Sequence, residues 1–288
     1  MDIIFIGTAS CTPSMTRGVS CTALRLHSLP GSGTWLFDCG EGTQLQIQRT
    51  SSIRPSKITK IFITHAHGDH SFGLPGLLCL MGQDTAETKE PIDIYGPEGL
   101  RMWLRIAIRY SVSRIVPRYR VHELKEVTMA PEWGYTPMSH GVPCVGYVIE
   151  EPNRPGRLPL KEAGFKHPMK ALAVIKDLPE GGSFTFPDGT VVTQQDAVEA
   201  SRPGRKVVIC GDTNSARSLE KLARDADVVV HEATNTFLHA LDHKDSNLKS
   251  VTREAIFHGH STPTMAGEFC KRVNAKRLIL NHFSARYM

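Results

Sequence analysis

Residues 64–70 read THAHGDH and place three imidazoles and one carboxylate within the six positions 65–70. The segment follows KIFIT at 60–64, a short apolar and partly β-branched run that is typical of a buried strand. The first two histidines lie two positions apart on extended backbone and point to the same side, whereas Asp69 and His70 follow a flexible glycine. The loop can therefore serve two metal ions, and its donors suit zinc first, with iron or manganese as alternatives. The other interpretation is a solvated surface loop, which the position at a strand end disfavours.

The composition is that of a folded globular chain. The 288 residues, 40% of them hydrophobic, suffice for one large α/β domain or two small ones, and no apolar run has the length of a membrane span. The N-terminal MDIIFIG begins as a strand without an export signal, and the seven cysteines are odd in number and include no CxxC pair. We therefore expect a protein without a disulfide framework in a reducing compartment, the cytoplasm most simply, or also the nucleus in a eukaryote.

Basic residues are unevenly distributed. The formal net charge is only +5, yet residues 152–176 carry six basic residues against the single acidic Glu162. That segment is also rich in proline and glycine, which indicates a projection or linker. A second basic group, Arg101, Arg105 and Arg109, recurs at every fourth residue in a segment of helical pattern, where like charges repel by about 0.2–0.5 kcal/mol per pair. Either a ligand stabilises this row or it is simply solvated.

Strand-like and helix-like segments are spread along the whole chain. The predicted strands are 2–7, 20–27, 34–38, 57–64, 91–95, 119–123, 125–130, 144–150, 206–210, 227–231 and 277–281, and a hairpin is predicted at 182–194. One helix is predicted to end near residue 49 and another to begin at residue 73. Three further helices are predicted at 97–111, 215–224 and 263–273. Pro97 is expected to open the helix at 97–111. Metal-competent residues stand beside these strands, where strand ends converge on one edge of an α/β fold, namely 65–70, His140, Asp212, 231–232 and His282.

These motifs resemble two nested families. HAHGDH at 65–70 with His140, Asp212 and His282 resembles the metallo-β-lactamase superfamily. Further motifs resemble the short-form ribonuclease Z family of tRNA 3′-processing endonucleases, and they are DCGEGTQ at 38–44, FGLPGL at 72–77, GDT at 211–213, HEAT at 231–234, HST at 260–262 and HFSARY at 282–287. The resemblance spans essentially the whole chain.

The resemblance implies a fold and a metal site. The fold is α/β, a single metallo-β-lactamase αβ/βα four-layer sandwich over 1–288 with an inserted basic arm at 152–195. The site holds two Zn²⁺ ions at one edge of the sandwich, with Mn²⁺ or Fe²⁺ as alternatives. The implied ligands are His65, His67 and His140 for one ion, Asp69, His70 and His282 for the other, and Asp212 as the bridge.

The implied chemistry is hydrolysis of a phosphodiester. Two ions about 3.5–4 Å apart can lower the pKa of a shared water, neutralise a phosphate and stabilise a leaving oxygen. In the roles that the resemblance implies, Asp69 orients or deprotonates that water, and Glu232 holds His260 as the general acid for the departing 3′ oxygen. The other interpretation of Glu232 is a carboxylate that orients a metal-bound histidine.

The implied substrate is precursor tRNA, cut to leave a 3′-hydroxyl on the tRNA and a 5′-phosphate on the trailer, and the implied assembly is a homodimer with no membrane partner. In the family a flexible arm clamps the tRNA elbow, although KHPM at 166–169 replaces the arm's Pro-Gly-Pro run here. Arg17 is the expected contact to the tRNA end. The expected phosphate contacts in the arm are Arg154, Arg157, Lys161, Lys166 and Lys170.

Three other functions stay open at this point. Another dinuclear metallohydrolase of the superfamily would act on small phosphodiesters or thioesters, and cleavage of a trailer-bearing transcript separates it from the nuclease. A redox di-iron protein would carry glutamate in place of His67, and metal analysis addresses it. A non-catalytic RNA-binding subunit is disfavoured because every ligand position is filled, and a comparison with Asp69→Ala tests it.

Overall fold

The structure is a computed structural model that describes residues 1–27, 33–83, 90–114, 116–125, 135–153, 178, 182–185, 189, 191–193 and 203–287. By its internal contacts the chain divides into two units, Met1–Ile149 with Val207–Met288, and Glu150–Lys206. Within the described ranges no helix is both long and apolar enough to cross a bilayer.

The secondary structure alternates strands and helices, as the sequence predicts. The described strands are β1 (Asp2–Gly7), β2 (Cys21–Arg25), β3 (Thr34–Phe37), β4 (Ile58–Phe62), β5 (Ile92–Pro97), β6 (Tyr119–Leu124), β7 (Tyr135–Met138), β8 (Cys144–Glu150), β9 (Ser183–Thr185), β10 (Val191–Thr193), β11 (Lys206–Ile209), β12 (Val228–Glu232) and β13 (Leu278–Asn281). The described α-helices are α1 (Thr43–Arg49), α2 (Gly68–Ser71), α3 (Leu74–Gly82), α4 (Leu100–Tyr110), α5 (Leu248–Phe257) and α6 (Pro263–Arg272).

The first sheet contains β1 to β6 in chain order. The first three strands pair antiparallel, and β3 to β6 pair parallel. Successive residues of β4 face opposite sides, so that Ile61 packs with apolar residues of α1, α3 and α4 while Phe62 faces the second sheet. Burial on both faces accounts for the nearly continuous apolar run at 60–64, which predicts this strand.

The second sheet has the order β13-β12-β11-β8-β7. The strands β11, β12 and β13 are parallel, whereas β7 and β8 form an antiparallel pair. Val229 of β12 packs outward against Phe269 of α6, and its neighbour Val230 faces inward. This sheet therefore also has one face covered by helix and one face covered by the other sheet.

Aromatic side chains fill the space between the two sheets. The rings of Phe37 and Phe62 stack with centroids 4.9 Å apart, and Tyr147 of the second sheet meets Phe62 edge-on at 5.3 Å. The hydroxyl of Tyr147 donates to the carbonyl of Ile63 at 2.8 Å, which satisfies its buried polar atom. The layers are thus helix, sheet, sheet and helix, and the predicted αβ/βα sandwich is confirmed.

The unit Glu150–Lys206 contains the predicted hairpin. Its strands β9 and β10 pair antiparallel, as the Asp-Gly turn signal indicates. Within this unit Arg205 makes a two-pronged ion pair with Glu151, with N–O distances of 2.6 and 2.7 Å. Residues 154–177 lie outside the described part of the chain, so the arm at 152–195 remains a prediction.

Two helix predictions need correction, and one helix was not predicted. The helix expected to begin at Pro97 begins at Leu100, because Pro97 ends β5 in register with Leu124 and Gly99 adopts a φ of 95° before the first helical residue. The helix expected at 215–224 is only the 3₁₀ turn Arg217–Leu219 followed by turns. The sequence reading also missed α5, which begins with a capping box between Asn247 and Ser250.

Candidate metal centre

Polar side chains meet at one edge of the two sheets. Residues 65–70 follow β4, His140 follows β7, Asp212 follows β11, Glu232 ends β12 and His282 follows β13. The carboxyl ends of parallel strands share an edge, so topology alone brings these distant positions together. The period of two along β12 decides which residues take part: Glu232 faces the site, whereas the neighbouring histidine at 231 packs on an α6 phenylalanine.

The first group of ligand-type side chains is His65, His67 and His140, with one nitrogen of each within 4.8 Å of the others. Nε2 of His65 lies 3.0 Å from Nδ1 of His67, and Nε2 of His140 lies 3.4 Å from that same nitrogen. Three imidazole nitrogens that face a common point are a ligand set that zinc accepts.

The second group is Asp69, His70 and His282. Nε2 of His282 lies 3.1 Å from Nε2 of His70 and 3.3 Å from Oδ2 of Asp69. The backbone N–H of Cys11 donates to the same Asp69 oxygen at 2.6 Å. All three members are buried, so their donor atoms are directed at one another rather than at solvent.

Asp212 lies between the two groups. Its Oδ2 is 3.7 Å from Nε2 of His65 in the first group, and 3.4 and 3.2 Å from Nε2 of His70 and His282 in the second. One carboxylate oxygen therefore reaches ligands of both groups, which is the position of a bridging ligand.

The outer nitrogens of four of these imidazoles are held by other polar groups. The contacts to Nδ1 are Asp38 Oδ2 to His70 at 2.7 Å, Thr64 Oγ1 to His65 at 3.0 Å, the Gly259 carbonyl to His140 at 2.9 Å and Thr234 Oγ1 to His282 at 2.8 Å. The carbonyl and the carboxylate can only accept, so the neutral rings of His70 and His140 carry their proton on Nδ1. Each then presents a lone pair on Nε2 to the centre, as a metal ligand must.

The electrostatics of the cluster favour a bound cation. Burial and the neighbouring His70 lower the pKa of His65 well below its usual value and keep it in the neutral, ligating form. Burial opposes ionisation of Asp212, but His282 and His70 outweigh it and hold the pKa of this carboxyl well below its usual range. Burial also opposes charge on His70, yet Asp212 and Asp38 raise its pKa well above the usual value. The donors are imidazole nitrogens and carboxylates without a thiolate, and the carboxylates leave negative charge at the centre of the cluster. This combination fits a divalent metal.

Close backbone packing positions residues 65–70, called the metal loop below. A Cβ on Gly40 would lie 2.0 Å from the carbonyl oxygen of Asp69, and one on Gly73 would lie 2.0 Å from the carbonyl oxygen of Gly40. The N–H of Cys39 donates to the carbonyl of His70 at 2.8 Å. Glycine at these two positions therefore lets the 38–44 loop and the metal loop touch through their main chains.

Glu232 and His260 form a pair beside the cluster. Oε1 of Glu232 lies 3.1 Å from Nδ1 of His260 and accepts the N–H of Thr213 at 2.7 Å. Its Oε2 accepts the hydroxyl of Thr234, the residue that also contacts His282. Burial lowers the pKa of His260, but the carboxylates of Glu232 and Asp212 more than offset it, so that the pKa is raised. The geometry is compatible with both interpretations of Glu232.

Among the predicted substrate contacts only Arg17 lies in the described part of the chain. Its Nη1 donates to Thr8 at 2.6 Å, and its guanidinium lies 5.3 Å from the centre of the Phe283 ring. Phe283 follows the metal-ligand candidate His282, so Arg17 lies close to the centre. The remaining predicted contacts lie outside the described residues, and they are Arg154, Arg157, Lys161, Lys166 and Lys170.

The sequence reading did not single out three residues that orient the ligands. Asp38 is buried, has a φ of 62°, and accepts both the N–H of Thr64 at 2.7 Å and the contact from His70. Thr234 links Glu232 to His282. The available signal for Asp38 was a carboxylate at the end of β3, next to the strand that carries the loop; Thr64 and Thr234 gave none beyond their place in the quoted motifs.

Comparisons with known proteins agree with the fold and identify the family. The model of the metallo-β-lactamase superfamily matches residues 16–260. A ribonuclease Z from Picosynechococcus is 43% identical over 292 residues, covering all of this chain and 86% of its own, and a ribonuclease BN from Cronobacter sakazakii is 41% identical over 294 residues, covering all of this chain and 90% of its own. The crystal structure of the human short-form tRNase Z superposes with a TM-score of 0.70 at 33% identity, covering all of this chain and 94% of its own. The chain therefore belongs to the metallo-β-lactamase superfamily and, within it, to the ribonuclease Z and ribonuclease BN family.

Proposed function

We propose that this chain is a metal-dependent endoribonuclease that removes 3′ trailers from precursor tRNA, leaving a 3′-hydroxyl on the tRNA and a 5′-phosphate on the trailer. The observation that carries the proposal is the meeting of seven ligand-type side chains with the Glu232–His260 pair at one sheet edge. The names of the relatives, ribonuclease Z and tRNase Z, support the same substrate.

The seven side chains would hold two divalent ions, with zinc as the preferred metal for this donor set. His65, His67 and His140 would hold one, Asp69, His70 and His282 the other, and Asp212 would touch both. When bound, such a pair supplies an activated water and neutralises the charge of the scissile phosphate.

Asp69 is proposed to orient the attacking water and to accept its proton. Its Oδ2 is fixed from two sides, by the N–H of Cys11 and by His282. A carboxylate held in this way does not need to reorganise when the water attacks, and positioning of this kind supplies much of the catalysis in hydrolytic sites.

His260 is proposed to give its proton to the departing 3′ oxygen. Glu232 accepts from Nδ1 of the imidazolium, which leaves Nε2 as the proton donor. This arrangement stabilises the charged ring before transfer and fixes its orientation during transfer. The ribose oxygen is a poor leaving group as an alkoxide, so the step depends on a proton.

Substrate selection is proposed to use Arg17 near the centre and the basic arm farther away. Arg17 is held by Thr8 and Phe283 and so presents a fixed positive charge. The arm residues Arg154 to Lys170 would bind phosphates through charge rather than base identity. A precursor tRNA substrate places the activity where tRNA is transcribed, which is the cytoplasm in a cell without a nucleus. The homodimer implied by the family resemblance is part of the same proposal, and light scattering of the purified chain tests it.

The test is cleavage of a defined precursor tRNA by the purified chain, with the ends of both products mapped. We expect one cut at the start of the trailer, loss of cleavage with a chelator, and recovery when Zn²⁺ is restored. Metal analysis of the purified chain separates zinc from manganese and iron. Asp69→Ala should be inactive. Equal cleavage by this variant and the parent would contradict the proposal that the chain is an enzyme. If the metal-loaded parent cleaved no trailer-bearing transcript, the proposed substrate would be wrong.

A further inference from the structure

The outer face of α4 carries a row of arginines whose charge the catalytic site does not use. We propose that Arg101, Arg105 and Arg109 bind the phosphate backbone of the RNA substrate and form a track beside the metal loop. This inference rests on the proposed function and extends it to a surface outside the metal centre.

The helix itself sets the geometry of the row. Leu100, Leu104 and Ile108 form the buried stripe of α4, so the arginines that follow each of them face outward. Positions four residues apart rise by about 6 Å, so the row is about 12 Å long. A row of this length can contact several successive phosphates of one strand.

The three arginines differ in their contacts with the rest of the protein. Nη2 of Arg101 donates to the carbonyl of Val121 at 2.9 Å, and its Nε lies 3.7 Å from a Glu123 carboxylate oxygen. Arg105 and Arg109 are exposed, and no carboxylate in the described ranges pairs with either of them. Two guanidiniums are thus available for a ligand, and the mutual repulsion of the row would be relieved by an anion.

An apolar row runs alongside the basic one. Met102, Ile106 and Tyr110 have exposed fractions of 67%, 59% and 89%, and the first two line a groove of about 330 Å³ together with the three arginines and Glu123. Three arginines against one glutamate give this groove a net positive charge. A groove of cations and apolar side chains, with the exposed Tyr110 ring one turn beyond Ile106 on the same helix, matches single-stranded RNA, which offers phosphates and base faces together.

An aromatic contact connects α4 to the loop that carries the metal-ligand candidates. The Phe72 ring lies on the metal loop, since a Cβ on Gly68 would lie 2.4 Å from one of its carbons. The same ring is 61% exposed and stacks with Trp103 of α4 at a centroid distance of 6.5 Å and an interplanar angle of 24°. A strand leaving the metal loop over Phe72 would meet α4 next.

The charge of the groove also argues for RNA over a second copy of this chain. A twofold contact through this face would oppose six arginines to two glutamates, which is unfavourable without an anion between them. A phosphate backbone supplies the required negative charge in a repeating form.

The experiment compares Arg105→Glu/Arg109→Glu with Lys221→Glu/Lys271→Glu, a pair with the same change of net charge on exposed positions that flank the second sheet. For the metal-loaded parent and both variants, one measures KM and kcat for precursor tRNA over a range of salt, bis-p-nitrophenyl phosphate hydrolysis, and molar mass by light scattering. We expect kcat/KM for precursor tRNA, relative to hydrolysis of the small ester, to fall by about tenfold in the α4 variant through KM. The slope of log KM against log salt should fall by about one for each lost phosphate contact. The control pair should keep the parent ratio.

Three results would overturn the track. They are an α4 variant that matches the control pair, an equal loss on both substrates, or a changed molar mass with unchanged RNA affinity, which would make this face an interface between copies. Failure of the parent to cut precursor tRNA is a separate result and counts against the proposed function.

Discussion

The carboxylate of Glu232 lies 3.1 Å from Nδ1 of His260 through one oxygen, while its other oxygen accepts the hydroxyl of Thr234, which contacts Nδ1 of His282. One buried side chain is therefore connected both to the proposed general acid and, through a threonine, to a proposed metal ligand. Two roles for Glu232 follow from this geometry, and they predict different kinetics.

If Glu232 supports the general acid, Glu232→Gln should damage cleavage of precursor tRNA far more than hydrolysis of bis-p-nitrophenyl phosphate. The ribose oxygen needs a proton to leave, whereas p-nitrophenolate does not. We expect kcat for precursor tRNA to fall by about 10²- to 10⁴-fold, with a much smaller change for the ester and with unchanged bound metal, measured by steady-state kinetics and elemental analysis.

Thr234→Val is the matched control: it removes the link to His282, the hydroxyl bond to Oε2 of Glu232 and the longer contact of 3.4 Å to Nδ1 of His260, but it keeps the Glu232–His260 contact at 3.1 Å. This variant should lower metal affinity and affect both substrates alike. If Glu232→Gln also affected both substrates alike and lost metal, the carboxylate would act through His282, and the general-acid role would be withdrawn.

The second prediction concerns Asp212, which lies between the two ligand groups. Asp212→Asn keeps the side-chain volume but removes the charge that faces His65, His70 and His282. We expect bound metal to fall below that of the parent, and cleavage to fall by more than about 100-fold, the upper end for residues that only orient a ligand. Elemental analysis and precursor cleavage measure the two effects. Glu268→Gln, an exposed neutralisation on α6, should change neither, and a parent-like Asp212→Asn would show that the bridge is not needed.

Asp38 should affect metal binding through His70, without contacting the metal itself. Its contact to Nδ1 of His70 at 2.7 Å fixes the ring and its tautomer, so Asp38→Asn should lower metal affinity by about 10- to 100-fold without removing a ligand. Chelator competition measures the affinity. Unlike Asp212→Asn, this variant should regain most of its activity at high Zn²⁺. Activity that stays low at saturating metal would instead indicate that Asp38 holds the loop itself, through the N–H of Thr64.

The sequence was most informative where chemistry and strand period coincide. Metal-competent residues at the ends of predicted parallel strands converge by topology, so a set that runs from His65 to His282 could be proposed without knowing any contact. The alternation of side chains along β12 also decides which of its residues belongs to the site: Glu232 faces the cluster, and its neighbour His231 faces α6. The αβ/βα four-layer sandwich was implied by the family resemblance, and the continuous apolar runs of strands that are buried on both faces agree with it.

Contacts that depend on a partner distant in sequence were not predictable. Asp38 orients His70 from 32 positions away, and nothing in either local pattern announces the pair. The start of α4 was misplaced because proline suits both a helix start and the end of a strand, and pairing with β6 decides the matter at Pro97. Exposed polar residues gave α5 a weak pattern, although its capping box was visible at Asn247.

The last prediction concerns pH and a half-buried ion network in the first sheet. Burial opposes ionisation of Asp93, but hydrogen bonds from His122, Lys60 and Arg120 at 2.9–3.2 Å outweigh it and lower its pKa. Because the folded state favours the carboxylate, its contribution to stability is present above the unfolded pKa of about 3.9 and is lost as the pH falls through the lower folded value. The partner side chains are partly exposed and water screens them, so Asp93→Asn should reduce the free energy of unfolding by about 1 kcal/mol at pH 7 and by progressively less below about pH 4.

Urea unfolding of the parent and Asp93→Asn at pH 7, 5, 4 and 3 measures this difference. Loss of bound metal in acid affects both proteins alike, so the difference between them isolates the carboxylate. Asp245→Asn is the matched control, since Asp245 also lies near a histidine, 3.3 Å from His243, but both side chains are exposed and water screens the pair. That variant should follow the parent at every pH. A difference for Asp93→Asn that stayed constant down to pH 3 would mean that the amide disturbs packing, because a lost charge would no longer matter once the parent's carboxyl is protonated.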